Sequence, residues 1–283
     1  MANLAKPNQP EANGAGEDLL RSAFVEMLFA LAASQVAINA ADLAAVVAPW
    51  QAKMPAAAHL GVGLLVIAAS WLGWRQSVSP GMKERVKYLF SVPFIGLLVD
   101  VFLVILYFII VRNVEIEQQG GQTVLAPATA RPESFWLCVV FGVYAFWDLV
   151  ADVFSMGCIP KARFFPRVWK ALRAACVSVF ASLVCLLLSY SAFVVATKRT
   201  DADEVLFLDG MLVCVILFFR AVKAFENVLA PLLRVKDCKA FMEARKTQGR
   251  ELRWGILLLL LYAVCFLGAF DFQPREVLRC LLG

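Results

Sequence analysis

Seven stretches of this chain are long and apolar enough to cross a bilayer as helices, and nothing else in the sequence constrains its fold so strongly. A hydrocarbon core takes ~20 apolar residues of helix, and within lipid every backbone N–H and C=O has to bond inside its own segment. Candidate spans fall at 22–48, 57–74, 88–111, 134–155, 171–197, 204–222 and 254–272. The third, YLFSVPFIGLLVDVFLVILYFIIV, and the seventh, WGILLLLLYAVCFLGAFDF, are the most continuous. Composition agrees: with 61% hydrophobic and 17% charged residues, the chain has too little polar surface to cover a water-soluble core. The expected fold is all-α, a polytopic transmembrane bundle of seven spans, or six if the last helix does not cross.

The basic residues test that count. Lys and Arg number one in 49–58, four in 75–87, two in 112–133, five in 156–173, two in 198–203 and nine in 220–253. Low and high alternate through all six loops, as the positive-inside rule requires. The rule predicts a cytoplasmic N-terminus. Residues 1–18 read as a disordered tail, 19–219 as the first six helices, 220–253 as a basic amphipathic cytoplasmic segment, and 254–283 as the last helix and C-terminus. Alanine-rich spans and short loops suit a bacterial inner membrane. In the loop 112–133, Gly120-Gly121 predicts a short hairpin.

Carboxylates within or near the spans carry the functional signal: Glu26, Asp42, Asp100, Asp148, Asp152 and Asp209. A charge at bilayer depth costs at least ~2.5–3.5 kcal/mol, and no Lys or Arg lies near the middle of a span. Such acids are expected to face water, each other or a cation. In FGVYAFWDLVADVF, Tyr144, Asp148 and Asp152 share one helical face at i, i+4, i+8. Glu26, Asp100, Asp148, Asp152 and Asp209 therefore form a candidate acidic path for monovalent cations. The first span has a small-residue stripe (Ala30, Ala33, Ala37, Ala41, Ala44) suited to close helix packing. Its second face, Leu31, Gln35, Ile38, Asn39 and Asp42, is the candidate pore lining of a homo-oligomer.

FVEMLFALAASQVAI in this first span resembles the opening of the endolysosomal potassium-channel family and its bacterial tetrameric relatives. Phe24, Glu26 and the run Phe29-Ala30-Leu31-Ala32 carry the likeness, and Trp71 closes a second apolar run as in that family, over residues 20–110. Trp74 and Arg75 stand where the family has a histidine pair, and Val25 and Met27 replace Ser and Gly. The resemblance implies a tetramer with apolar constrictions at Leu31, Gln35 and Ile38. Gln35 interrupts that apolar pattern, so potassium selectivity does not carry over.

Two basic stretches interleave cations with apolar side chains. Lys161, Arg163, Arg167, Lys170 and Arg173 lie among Phe164, Phe165 and Trp169, and Arg234, Lys236, Lys239, Arg245 and Lys246 occupy the 220–253 segment. Their ordinary reading is positive-inside surface in contact with lipid headgroups. Their sharper reading is a site for a nucleotide or oligonucleotide that gates conduction, which would suit an antiviral effector. No Gly-rich phosphate loop, HExxH or GxSxG is present, so no catalytic residue is expected. Eight cysteines without a CxxC pair, and a single histidine, His59, give no expectation of a metal site or cofactor. The leading expectation is a ligand-gated cation channel. An ion-coupled secondary transporter is the alternative, followed by a non-conducting membrane adaptor.

Overall fold

The computed structural model describes residues 12–77, 92–157, 164–198, 201–232, 250, 253–262 and 264. Side chains are described for 23–75, 94–149, 179–198 and 201–224, and for 250, 253–262 and 264. These residues form seven helices and one hairpin: α1 (Ala12–Ala45), α2 (Trp50–Ser77), α3 (Val92–Arg112), β1 (Ile116–Gln119), β2 (Gln122–Leu125), α4 (Arg131–Gly157), α5 (Phe164–Ala196), α6 (Ala202–Leu232) and the shorter α7 (Arg253–Tyr262). Five of them, α1, α2, α3, α5 and α6, contain stretches long and apolar enough to cross a membrane. The chain is an all-α bundle of membrane-protein type.

Its outer surface supports the same conclusion. Leu31, Leu64, Leu98, Phe146, Phe180 and Leu187 are all about half exposed or more. Surrounded by water, an apolar surface of that extent would drive association; against lipid tails it meets a solvent of its own kind. The interior is packed around Tyr107, Phe141, Leu137, Leu208 and Leu212, each fully buried.

α1 to α6 alternate in direction, which gives the bundle two ends. One holds the hairpin, the C-termini of α1 and α3 and the N-termini of α2, α4 and α6. Among the described contacts, α4 packs most extensively on α5, and α6 packs on both α2 and α5. The hairpin follows the Gly-Gly expectation: β1 and β2 pair antiparallel from Ile116↔Leu125 to Gln119↔Gln122. Gly120 and Gly121 both take positive φ, 60° and 81°. A two-residue turn with both φ values positive matches the twist of the flanking strands.

Two boundaries differ from expectation. α1 begins at Ala12, inside the stretch read as a disordered tail. α6 continues to Leu232, well past the expected boundary at 219. Arg220 and Lys223 thus belong to α6, with partly buried side chains, rather than to a separate segment that begins at 220. A cation reads as a span boundary in hydropathy, yet it can stay in the helix when a carboxylate on a neighbouring helix meets it.

The C-terminus of α3 shows how the hairpin end is joined. The last turn of a helix leaves its carbonyls without intrahelical donors, and here three are met separately. Asn113 donates to the Ile109 carbonyl (2.9 Å from Nδ2), His59 Nε2 to that of Ile110 (2.9 Å), and Asn39 Nδ2 to that of Val111 (2.7 Å). α1 and α2 are both pinned to α3 in this way. At Gly63, one turn below His59, a Cβ would sit 2.7 Å from Val111 Cγ2. Gly63→Ala is therefore expected to push α2 from α3 and cost about 1–3 kcal/mol. Thermal unfolding in detergent reads this as a lowered apparent melting temperature.

Candidate functional site

Three helices share a seam through the bundle, and the residues on it change character along its length. Steps of three or four residues keep one helix face in view. On α2 the seam reads His59, Val62, Val66, Ser70, Gly73; on α4 it reads Glu133, Leu137, Val140, Tyr144, Asp148. On α6 it reads Asp209, Leu212, Ile216, Arg220, Lys223. Both ends are polar and the middle is apolar. Val62, Val66, Leu137, Val140, Leu212 and Ile216 are all buried. Asp209 and Lys223 are fourteen residues apart on α6, so ~21 Å of helix separates the two polar ends.

The end away from the hairpin holds a cavity of about 260 Å³. Asp100, Asp148, Arg220 and Lys223 bring charge to its wall, and Ser70 and Tyr144 bring hydroxyls. Trp74 and Trp147 also line it, and Val66, Val140, Phe141 and Ile216 form its apolar side. Lys223 Nζ lies 2.6 Å from Asp148 Oδ2, and Ser182 Oγ donates to the same oxygen at 3.3 Å. Their side chains are 21% and 13% exposed, so the ion pair is largely withdrawn from solvent. Tyr144 Oη lies 3.0 Å from Tyr107 Oη and 3.4 Å from Ser70 Oγ, a hydroxyl chain joining α3, α4 and α2. Lys223 also lies over the Phe219 ring, 5.8 Å from its centre.

The hairpin end holds a closed cluster. His59, Glu133 and Asp209 are at most 1% exposed, and Glu115 is 6% exposed. His59 Nδ1 lies 3.2 Å from Glu115 Oε1 and 3.4 Å from Glu133 Oε2. One ligating atom from each of His59, Glu115 and Glu133 falls within 4.8 Å of the others. Asp209, from the second turn of α6, faces Glu133 across this group at hydrogen-bonding range. Apart from each other, the oxygens of Glu133 and Asp209 meet no side-chain donor among the described residues. Glu133 stands in the first turn of α4, where the helix dipole favours a carboxylate.

The sequence-derived acids are thus divided. Asp100 and Asp148 share the cavity, Asp209 belongs to the closed cluster, and Glu26 is exposed on the outer face of α1. Asp148 has a basic partner, Lys223, where the sequence placed no Lys or Arg within reach. Of the α1 residues, Leu31 and Ile38 point outward, each 55% exposed. Gln35 donates to Asn39 (2.8 Å), which donates to α3, so this pair is held within the subunit. Asp42 is half-buried. Asp152 lies on α4, and Arg167, Lys170 and Arg173 on α5, with side chains outside the described residues. Lys161, Arg163, Arg234, Lys236, Lys239, Arg245 and Lys246 lie wholly outside them.

Sequence reading missed His59, Glu115 and Glu133 as a group. His59 and Glu115 are 56 positions apart, and Glu133 falls one residue before its expected span. The available signal was a lone histidine inside an apolar helix. Comparison with protein-family models, with curated proteins and with solved structures finds no match to this chain.

Proposed function

We propose that this protein moves a small monovalent cation across a membrane, along the seam between α2, α4 and α6. The observation that carries this reading is the order of the seam: a charged cavity, a packed apolar layer, and a closed acidic cluster beyond it. In the cavity Asp100 and Asp148 are balanced by Arg220 and Lys223, so a cation would enter by displacing Lys223 from Asp148, and an apolar constriction holds back hydrated ions until it opens. Because the middle layer is closed, a carrier that exposes one polar end at a time suits the arrangement better than a permanently open pore. No covalent chemistry is involved. Asp148 and Asp100 would receive the cation, and Lys223 would hold Asp148 while the site is empty.

Purified full-length protein in proteoliposomes tests this. Wild type is expected to give potassium, sodium or proton flux that saturates with concentration, and Asp100→Asn/Asp148→Asn is expected to reduce it by at least about tenfold, equivalent to ~1.4 kcal/mol. Absence of flux at every pH and voltage applied would end the reading.

A second reading, a channel shared among subunits, is favoured by the outer face of α1. Glu26, Leu31 and Ile38, with Ala30, Ala37, Ala41 and Ala44, all lie exposed there. In the tetramer implied by the resemblance to the endolysosomal potassium channels, these residues would meet on the shared axis. Gating by a nucleotide or other anion at the basic segments belongs with this reading. Flux that rises without saturation, from a protein that migrates as a tetramer, would favour it; a clear monomer would rule it out.

A further inference from the structure

We propose that His59, Glu115 and Glu133 form a binding site for a first-row divalent metal ion, zinc by preference, with Asp209 beside Glu133 as the fourth polar group. The imidazole is set up for it. Nε2 lies 2.9 Å from the Ile110 carbonyl oxygen, which can only accept, so Nε2 carries a proton. Nδ1 then points its remaining valence at the carboxylates of Glu115 and Glu133. A metal-ligating histidine typically donates its other N–H to a backbone carbonyl or carboxylate, which fixes the tautomer and the ring.

The spacing agrees with a shared ion. Ligands ~2.0–2.1 Å from a tetrahedral zinc lie about 3.3 Å from one another. The two separations from Nδ1 are 3.2 Å to Glu115 and 3.4 Å to Glu133. The donor set of one imidazole and two carboxylates is one that zinc and its first-row neighbours accept.

The second, independent sign is the oxygens left over. Glu133 and Asp209 are buried and, apart from each other, their four carboxylate oxygens find no side-chain donor among the described residues. Buried carboxylates in such a state cost several kcal/mol each unless a cation or proton meets them. Three carboxylates and one imidazole carry a surplus of negative charge that a divalent ion offsets. Asp209 is placed to accept a hydrogen bond from a water on the ion, and Glu115, the least buried member, marks the side from which the ion arrives.

The ordinary alternative is a protonated imidazole bridging two glutamates, with no metal. Full-length protein in detergent, stripped with chelator and reloaded with zinc or cobalt(II), separates the two. The expected result is about one zinc retained per chain after dialysis, and the visible absorption of tetrahedral cobalt. Glu115→Gln and Glu133→Gln keep the side-chain shape and are expected to weaken zinc binding by at least about tenfold. Wild type that retains no zinc and shows no cobalt absorption would overturn the proposal whether or not the variants fold. So would zinc retained equally by wild type and by monodisperse Glu133→Gln. The inference does not rest on transport: a protein that holds zinc without carrying ions keeps the site and loses the proposed function.

Discussion

Lys223→Met is expected to destabilise the bundle by about 2–3 kcal/mol, while Asp148→Asn/Lys223→Met recovers most of that loss. Removing one member of a buried pair leaves the other charge without its partner, commonly at a cost of ~3–5 kcal/mol. The pair is 21% and 13% exposed, so water reaching the cavity lowers the figure. Taking both charges away removes the desolvation penalty with the attraction, which is why the double variant regains stability. Transport should behave differently. Both the single and the double variant lose the group that meets the cation or the group that holds it, so flux stays low in each. Chemical unfolding in detergent and flux in liposomes, measured on wild type, Lys223→Met, Asp148→Asn and the double variant, close a double-mutant cycle for each readout. A double-variant loss equal to the sum of the Lys223→Met and Asp148→Asn losses would show that the 2.6 Å contact does not couple the residues.

The apolar layer predicts the opposite change in flux. Ile216→Ser, at the boundary of cavity and core, is expected to raise passive cation leak about tenfold or more. Ile216 is 2% exposed, lines the cavity together with Val140, and lies one turn along α6 from the buried Leu212. Replacing a fully buried isoleucine by serine removes about 1.5–3 kcal/mol of apolar burial and gives water a hydroxyl to bond in the constriction. Each ~1.4 kcal/mol taken from the barrier raises the rate tenfold. The leak should be insensitive to Asp148→Asn, because it depends on wetting rather than on a carrier site. An Ile216→Ser protein as tight as wild type would mean that cations do not pass along this seam.

How much of this was legible beforehand depends on the range of the interaction. Five of the seven expected spans recur as helices long and apolar enough to cross a membrane, because hydropathy is a property of consecutive residues, and the hairpin was readable because Gly120 and Gly121 are local instructions to turn. The end of α6 was not. Arg220 and Lys223 look like the edge of a membrane segment until Asp148, 75 positions from Lys223, is seen to meet the lysine. The His59 cluster was harder still, since its members come from three helices and a strand lead-in with no spacing motif between them. A lone histidine is weak as a metal ligand in sequence, because its carboxylate partners can come from anywhere in the chain. The paired aspartates of α4 were a sound pointer to polarity, but only Asp148 is seen to join a site among the described residues.

The hairpin also acts as a ruler. Glu115 immediately precedes β1, and its carbonyl accepts from Ala126 N (3.2 Å) just past the end of β2. The ladder thus locks the position of this glutamate to a turn on the exposed rim. One residue of strand measures ~3.3 Å, about the distance between Glu115 and His59. Adding or deleting a single residue in either strand would carry the carboxylate a full contact away from the imidazole. A ribbon of eight paired residues, four exposed and four partly buried, therefore fixes the position of one member of a buried cluster.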